Sequence, residues 1–391
     1  MRPKGFLFSV ARAGIKKSGA VDMCLIYSET DAAAAATFTT NKVKAAPVWL
    51  GMKRIRAGRA RAVVVNSGNA NSCTGWPGMR DAEETARVAA GALGVSEKLI
   101  FPCSTGVIGV RLPLDKMRPT IKEMAASLGS AKLKEAAQAI MTTDAYPKYS
   151  TRKVKLGSKE GVIAGIAKGA GMIAPNMATM LCFLMTDIAV EPKALRLALR
   201  EAVEHSFNRI TVDGDRSTND TALVMANGAL GNTPISANSR RYPAFRKALS
   251  EVTYELSRMI ASDGEGATKL VEVEVRGARS DEDAKRGAFK VANSILVKSA
   301  LHGADPNWGR ILVALGTSGI EVKQEKTDVF IGGVKVVLRG VSTGSEREAR
   351  RKLKKKEVNI TVDLHLGQGR ASVLTCDLTE EYVRFNSEYT T

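Results

Sequence analysis

The sequence predicts an α/β chain, α+β in its details, with mixed sheets against helices. Three observations carry this. Short β-branched runs alternate with segments of helical periodicity along the whole length. Of the 391 residues, 44% are hydrophobic, enough for a sizeable core in one large or two ordinary domains. The 35 glycines and only 5% aromatics suit tight turns between compact elements, and neither collagen, coiled coil nor disorder fits that composition.

The elements follow in order. Residues 1–21 carry no acid and hold Arg2, Lys4, Arg12, Lys16 and Lys17, but Gly5, Gly14 and Gly19 would break a targeting helix, so they read as mature chain. Residues 31–36 are alanine-rich, too briefly for a low-complexity segment. Residues 62–65 (AVVV) read as a strand running into a polar loop at 66–71 (NSGNAN). Asp81, with Glu84 three positions on, resembles a capping-box start for an alanine-rich helix that ends near Gly91 to Gly94. The strand-like run 162–166 precedes Gly169-Ala170-Gly171-Met172-Ile173-Ala174, formally a G-x-G-x-x-A fingerprint. Pro175 and Asn176 fall where that motif's helix must continue, which argues against a dinucleotide site. His205 falls in a helix of mixed character. From Pro243, apolar Leu249, Val252, Leu256, Met259 and Ile260 mark a helix that stops at Asp263-Gly264. Val271, Val273 and Val275 alternate with acids, and the alternation from Val358 to Leu366 places His365 on a polar strand face. Residues 329–338, broken by Gly332-Gly333, read as a hairpin or bulged strand.

Composition limits the function. Lys and Arg outnumber Asp and Glu by 58 to 40, a net charge of +18. The densest run, 350–356 (RRKLKKK), has no interleaved aromatics for base stacking, so nucleic acid is not expected, and attraction for small carboxylate substrates or acidic cofactors fits the charge equally well. The longest near-apolar run, 172–185, falls short of the ~20 residues of a spanning helix, and no membrane partner is expected. Five widely spaced cysteines without a C-x-x-C point to a reducing cytoplasm, with no disulfide framework or structural zinc. Three histidines with no H-x-x-x-H pair, and no G-x-S-x-G elbow, support neither a metal enzyme nor a histidine triad. What stands out is a set of polar, hydroxyl- or glycine-rich loops at 103–106, 141–144, 176–179, 213–220 and 263–266. Turns and helix caps would explain most of them, although a Thr-Gly pair can also furnish oxyanion donors. Residue chemistry alone does not choose among them.

Residues 168–181 (KGAGMIAPNMATML) resemble the self-cleavage and nucleophile segment of the ornithine acetyltransferase, or glutamate N-acetyltransferase, family. The resemblance extends through 14–16 (GIK), 38–47 (FTTNKVKAAP), 66–71, 104–109 (STGVIG) and 140–144 (IMTTD). It continues through 210–215 (ITVDGD), 217–221 (STNDT), 263–269 (DGEGATK), 303–310 (GADPNWGR) and 386–391 (NSEYTT). His302 and the basic run at 350–356 depart from the family's pattern outside these motifs.

The resemblance implies an N-terminal-nucleophile-like fold and self-cleavage between Ala178 and Thr179, giving an α chain of residues 1–178 and a β chain of 179–391. Thr179 would then be the nucleophile, with Thr105 and Gly106 as oxyanion donors. Thr142 (or its neighbour Thr143), Lys168, Thr179, Glu265, Asn386 and Thr391 would contact substrate. The implied reaction moves acetyl from N-acetylornithine to glutamate in cyclic arginine biosynthesis. It needs no cofactor, although acetyl-CoA could serve as a co-substrate. The chains would stay associated, as α2β2. Two alternatives remain open at this point: an aminopeptidase or amidase with the same threonine chemistry, and an uncleaved polyanion-binding protein.

Overall fold

Two mixed sheets organise the chain in the computed structural model, which describes residues 1–174 and 180–388. The first sheet is built from β1 (Phe6–Ala11), β2 (Met23–Phe38), β3 (Arg59–Asn69), β4 (Ile100–Val107), β5 (Lys148–Leu156), β6 (Lys159–Lys168), β7 (Leu181–Thr186) and β8 (Thr221–Ala226). With it go α1 (Ala46–Arg54), α2 (Gly75–Leu93), α3 (Leu114–Ala126), α4 (Leu133–Ala139), α5 (Pro192–Glu204) and α6 (Tyr242–Ser262). The strand order is β4-β3-β2-β8-β7-β6-β5, with β1 paired to β2. The pairs β3/β4 and β7/β8 are parallel.

Long β2 belongs to both halves of this sheet. Its first residues pair with β3 and its last with β8, and the register shifts between Tyr27 and Ala32, where a bulge bends it. Alternate side chains of the central strands then feed different cores. Leu181, Phe183 and Met185 of β7 join Cys24, Ile26, Val63 and Val65, whereas Cys182 and Leu184 pack with residues of α5 and α6. Met23, Leu25, Ala62 and Val64 pack outward with α2 and α3. The arrangement places α2 and α3 on one core, α5 and α6 on another and α4 on the core that the strands share, consistent with the expected sandwiching of mixed sheets by helices. It explains why β7 and β8 show no polar alternation: both of their faces are buried.

The second sheet holds β9 (Leu270–Ala278), β10 (Asp328–Ile331), β11 (Val334–Leu338), β12 (Val341–Ser342), β13 (Glu357–Asp363) and β14 (Gly369–Cys376), in the order β12-β11-β10-β13-β9-β14. Its helices are α7 (Asp281–Ala292), α8 (Ile295–His302), α9 (Trp308–Gly316), α10 (Glu346–Leu353) and α11 (Glu380–Glu388). Val271, Val273 and Val275 do face one core, shared with Ile360 and Val362 of β13. The expected hairpin is β10–β11, turning through Gly332 (φ 58°) and Gly333 (φ 81°), the paired positive angles of a tight two-residue turn.

Four expectations need correction. Helix α2 begins at Gly75, so Asp81 and Glu84 lie inside it; Asp81 is buried and bound by Arg111, and Glu84 by Arg118. Pro77 is tolerated in the first turn, and Gly78 fits only because it lacks a Cβ, which would fall 1.8 Å from Thr74 Oγ1. Strand β13 stops at Asp363, leaving His365 beyond it with φ 51°. His205 is the C-cap of α5 rather than part of it. Residues 66–69 and 103–106 are not loops but the polar ends of β3 and β4, still paired in parallel. Among the described residues, no helix is long and apolar enough to cross a membrane.

Candidate active site

The polar strand ends make the first wall of the site. Parallel pairing brings Asn66 beside Ser104 and Gly68 beside Gly106. Gly106 has φ 131°, and a Cβ there would meet the Gly68 carbonyl carbon at 2.3 Å and the Asn69 nitrogen at 2.5 Å, so only glycine fits. Thr105, next to it, is buried to 5% exposure. The buried polar groups of this wall are paired. Ser104 Oγ donates to Asn66 Oδ1 (2.6 Å), and Asn219 Nδ2 donates to both Ala70 O (2.7 Å) and Ser104 O (2.8 Å). Asn219 thereby clamps the 213–220 loop onto the two strand ends, a scaffolding role that its loop setting in the sequence did not reveal.

Lys168, backed by a chain of buried charges, makes the second wall. Lys168 ends β6 and is 3% exposed. Asp144, fully buried, accepts from Gly169 N–H (2.7 Å), Thr142 N–H (3.0 Å) and Lys148 Nζ (2.7 Å). Lys148 reaches on to Asp263 Oδ2 at 2.5 Å. Burial alone would raise the Asp144 carboxyl, but Lys148 and Lys168 beside it and the Gly169 amide bring it down to about 2. Burial lowers Lys168, against the opposing pull of Asp144, Glu265 and Asp220. Lys16 is also lowered, to about 8, by burial set against Asp22 and Asp144. Asp144 belongs to the 141–144 segment that stood out in the sequence, although no role was read for it there, and nothing in the sequence marked Lys148 as its partner.

Glu265 closes the third side. Its N–H donates to Ala170 O (3.0 Å) and its carboxylate accepts from Asn386 Nδ2 of α11 (2.9 Å). Gly171 packs directly on that carboxylate, with an added Cβ only 2.4 Å from it. Gly171→Ala is therefore expected to push the flexible Glu265 side chain off Asn386. The fold should survive, while substrate KM rises about tenfold, the scale of one hydrogen bond to a charged group. An unchanged KM in steady-state kinetics would show that Glu265 does not touch substrate.

Thr105, Gly106, Thr142, Lys168, Glu265 and Asn386 line one cleft, together with Thr143. Both threonines of the 142–143 pair face it, so the geometry leaves that choice open. Ala178, Thr179 and Thr391 lie outside the described residues. Chemically, the cleft offers a hydroxyl next to bare backbone, a buried ammonium and a carboxylate. Such a set can polarise a carbonyl while gripping a zwitterionic amino acid by both charges.

Comparison with known proteins gives consistent results. The ArgJ family matches residues 7–391. The arginine biosynthesis bifunctional protein ArgJ of Geobacter sulfurreducens is 55% identical over 393 residues, covering 100% of both chains. A crystal structure of the Bacillus halodurans protein of that name is 45% identical, with TM-score 0.51, over 53% of this chain and 98% of its own. The Mycobacterium tuberculosis ornithine acetyltransferase complexed with ornithine is 39% identical, with TM-score 0.39, over 44% of this chain and 92% of its own.

Proposed function

The chain belongs to the ArgJ family, and on that premise we propose that it is a self-processing acetyltransferase of arginine biosynthesis, moving acetyl from N-acetylornithine to glutamate. The relatives are named bifunctional, and we read the second activity as transfer from acetyl-CoA to the same acceptor. The observation that carries the reading is the convergence on one cleft of Thr105, Gly106, Thr142, Lys168, Glu265 and Asn386, drawn from segments far apart in the chain.

In this scheme the Thr179 hydroxyl attacks the Ala178 carbonyl. An ester forms as the peptide C–N bond breaks and frees the Thr179 amine, and water then hydrolyses the ester to release the Ala178 carboxylate and the Thr179 hydroxyl. That amine, with an ordinary pKa of ~7.7–8.0, is partly neutral near pH 7 and can take the hydroxyl proton. Acetyl transfers from N-acetylornithine to Thr179, ornithine leaves, and the glutamate amine attacks the acetyl-enzyme to give N-acetylglutamate. The Thr105 hydroxyl and Gly106 N–H stabilise the oxyanion of each tetrahedral intermediate. Lys168 binds a substrate carboxylate and Glu265 a substrate ammonium. Residues 179–391 are a little over half the chain, as is the part of it that the Bacillus halodurans chain covers, which supports the two-chain reading.

The cut falls between β6 and β7, adjacent antiparallel partners in the first sheet. The two products should therefore co-migrate in native conditions and separate only on denaturation, with no contribution from disulfides. The reading is tested by following acetyl transfer to glutamate from each donor. Thr105→Ala should lower kcat by ~100-fold or more while changing KM much less. A rise in KM alone would make Thr105 a binding residue.

A further inference from the structure

A second opening lies beside the cleft. It is a groove of about 410 Å³ where α1 meets the start of α2, lined by Lys42, Lys44, Trp49, Cys73 and Trp76 among others. Trp76 is 81% exposed, Trp49 48% and Val43 53%. Two indole rings left in water on one groove are the mark of a surface that something covers. The walls are built rather than loose. Asn71 (φ 47°) and Cys73 (φ 57°) hold left-handed turns, Asn71 Nδ2 donates to Gly78 O (2.9 Å), and Thr74 Oγ1 donates to Asn71 Oδ1 (2.8 Å). Lys44 Nζ stands 5.4 Å from the centre of the Trp49 ring.

The groove and the cleft share a wall. Ala45 N–H donates to the carbonyl of Thr218, which lines the cleft (2.9 Å), while Ala46, which lines the groove, donates to Asn71 O (3.2 Å). Ala70 faces the cleft three positions before Cys73 faces the groove.

We propose that this groove binds the nucleotide end of an acyl thioester donor, whose acyl arm crosses the shared wall into the cleft. The assignment rests on the reading of acetyl-CoA as the second donor. Exposed indole faces accept a purine base by stacking, and Lys42 and Lys44 supply charge for its phosphates. No carboxylate lines the groove among the described residues, so its field is uniformly attractive to an anion. The same charges disfavour a second copy of this +18 chain, which would bring like charge against them. In the transfer itself the Thr179 oxygen bonds to the acetyl carbon and the C–S bond breaks, while the sulfur leaves as a free thiol with the hydroxyl proton. N-acetylornithine carries no nucleotide and has no need of the groove.

That difference gives the test. Trp76→Ala and Lys44→Glu are compared with wild type, with acetyl-CoA and N-acetylornithine as alternative donors to glutamate. The expected result is a KM for acetyl-CoA raised tenfold or more in both variants, with kcat/KM for N-acetylornithine within twofold of wild type and native mass unchanged. Trp76→Phe, which keeps an aromatic face, should restore most of the acetyl-CoA affinity. Turnover of N-acetylornithine but not of acetyl-CoA by the wild type would overturn the two-donor reading itself. Wild-type turnover of both donors with unaltered KM for acetyl-CoA in the variants would overturn the groove alone. A change of native mass with equal loss for both donors would make the groove an assembly surface and overturn it too.

Discussion

Thr179→Ala is expected to yield one uncut chain of 41.8 kDa and no measurable acetyl transfer from either donor. Alanine has no nucleophile for the N-to-O shift, so no ester forms at Ala178 and no new amine is released. In the proposed mechanism the same loss removes the atom that carries acetyl between donor and acceptor. Removing the nucleophile from comparable acyl-transfer sites costs on the order of 10⁴- to 10⁶-fold in rate, because the remaining binding and oxyanion groups act alone. Thr179→Ser and Thr179→Cys keep a nucleophilic atom and should still cut, more slowly. Denaturing electrophoresis and intact mass read the cut, and a coupled assay for ornithine reads the transfer. Two fragments of about 178 and 213 residues from Thr179→Ala would place the processing nucleophile elsewhere.

The legible parts of the fold were those where a single period acts. Helix α6 and the valines of strand β9 each face one core, so apolar spacing gave the type of both and the limits of the helix. Buried strands β7 and β8 serve two cores and carry no period, and neither was marked as a strand by pattern. The ends of β3 and β4 misled for a different reason. Asn66, Ser67, Ser104 and Thr105 are turn-forming types, yet here all four are buried, with Asn66 and Ser104 paired to each other, the Ser104 carbonyl held by Asn219, and Ser67 Oγ donating to Ala139 O. Tertiary hydrogen bonding overrides local preference there, and one sequence does not encode that partner visibly. The cleft's members were named from a resemblance, and spacing alone would not have joined Thr105 to Asn386. Neither would it have given the ionic support beneath them.

Lys148→Met tests that support. Lys148 is fully buried between Asp144 and Asp263, whose side chains are 0% and 6% exposed. Replacing the ammonium by a thioether of similar length keeps volume but strands two carboxylates, a loss of about 3–5 kcal/mol at neutral pH. The pH dependence should also change sign. In the wild type the Asp144 carboxyl sits at about 2, below its unfolded value near ~3.9. Its stabilisation is thus complete above that unfolded value and is lost as pH falls from about 4 through 2. Asp263 is already shifted upward by burial despite Lys148, and its charged form works against folding. Without the lysine, burial dominates both carboxyls and both rise. A raised carboxyl binds more protons folded than unfolded, so stability then grows as pH is lowered toward ~4. Thermal unfolding at pH 7.5 and 5 should show a large deficit at the higher pH that shrinks at the lower. Because Asp144 also holds the Thr142 and Gly169 amides, acetyl transfer should fall even where the variant remains folded. An equal deficit at both pH values, or none, would mean that Lys148 does not neutralise this pair.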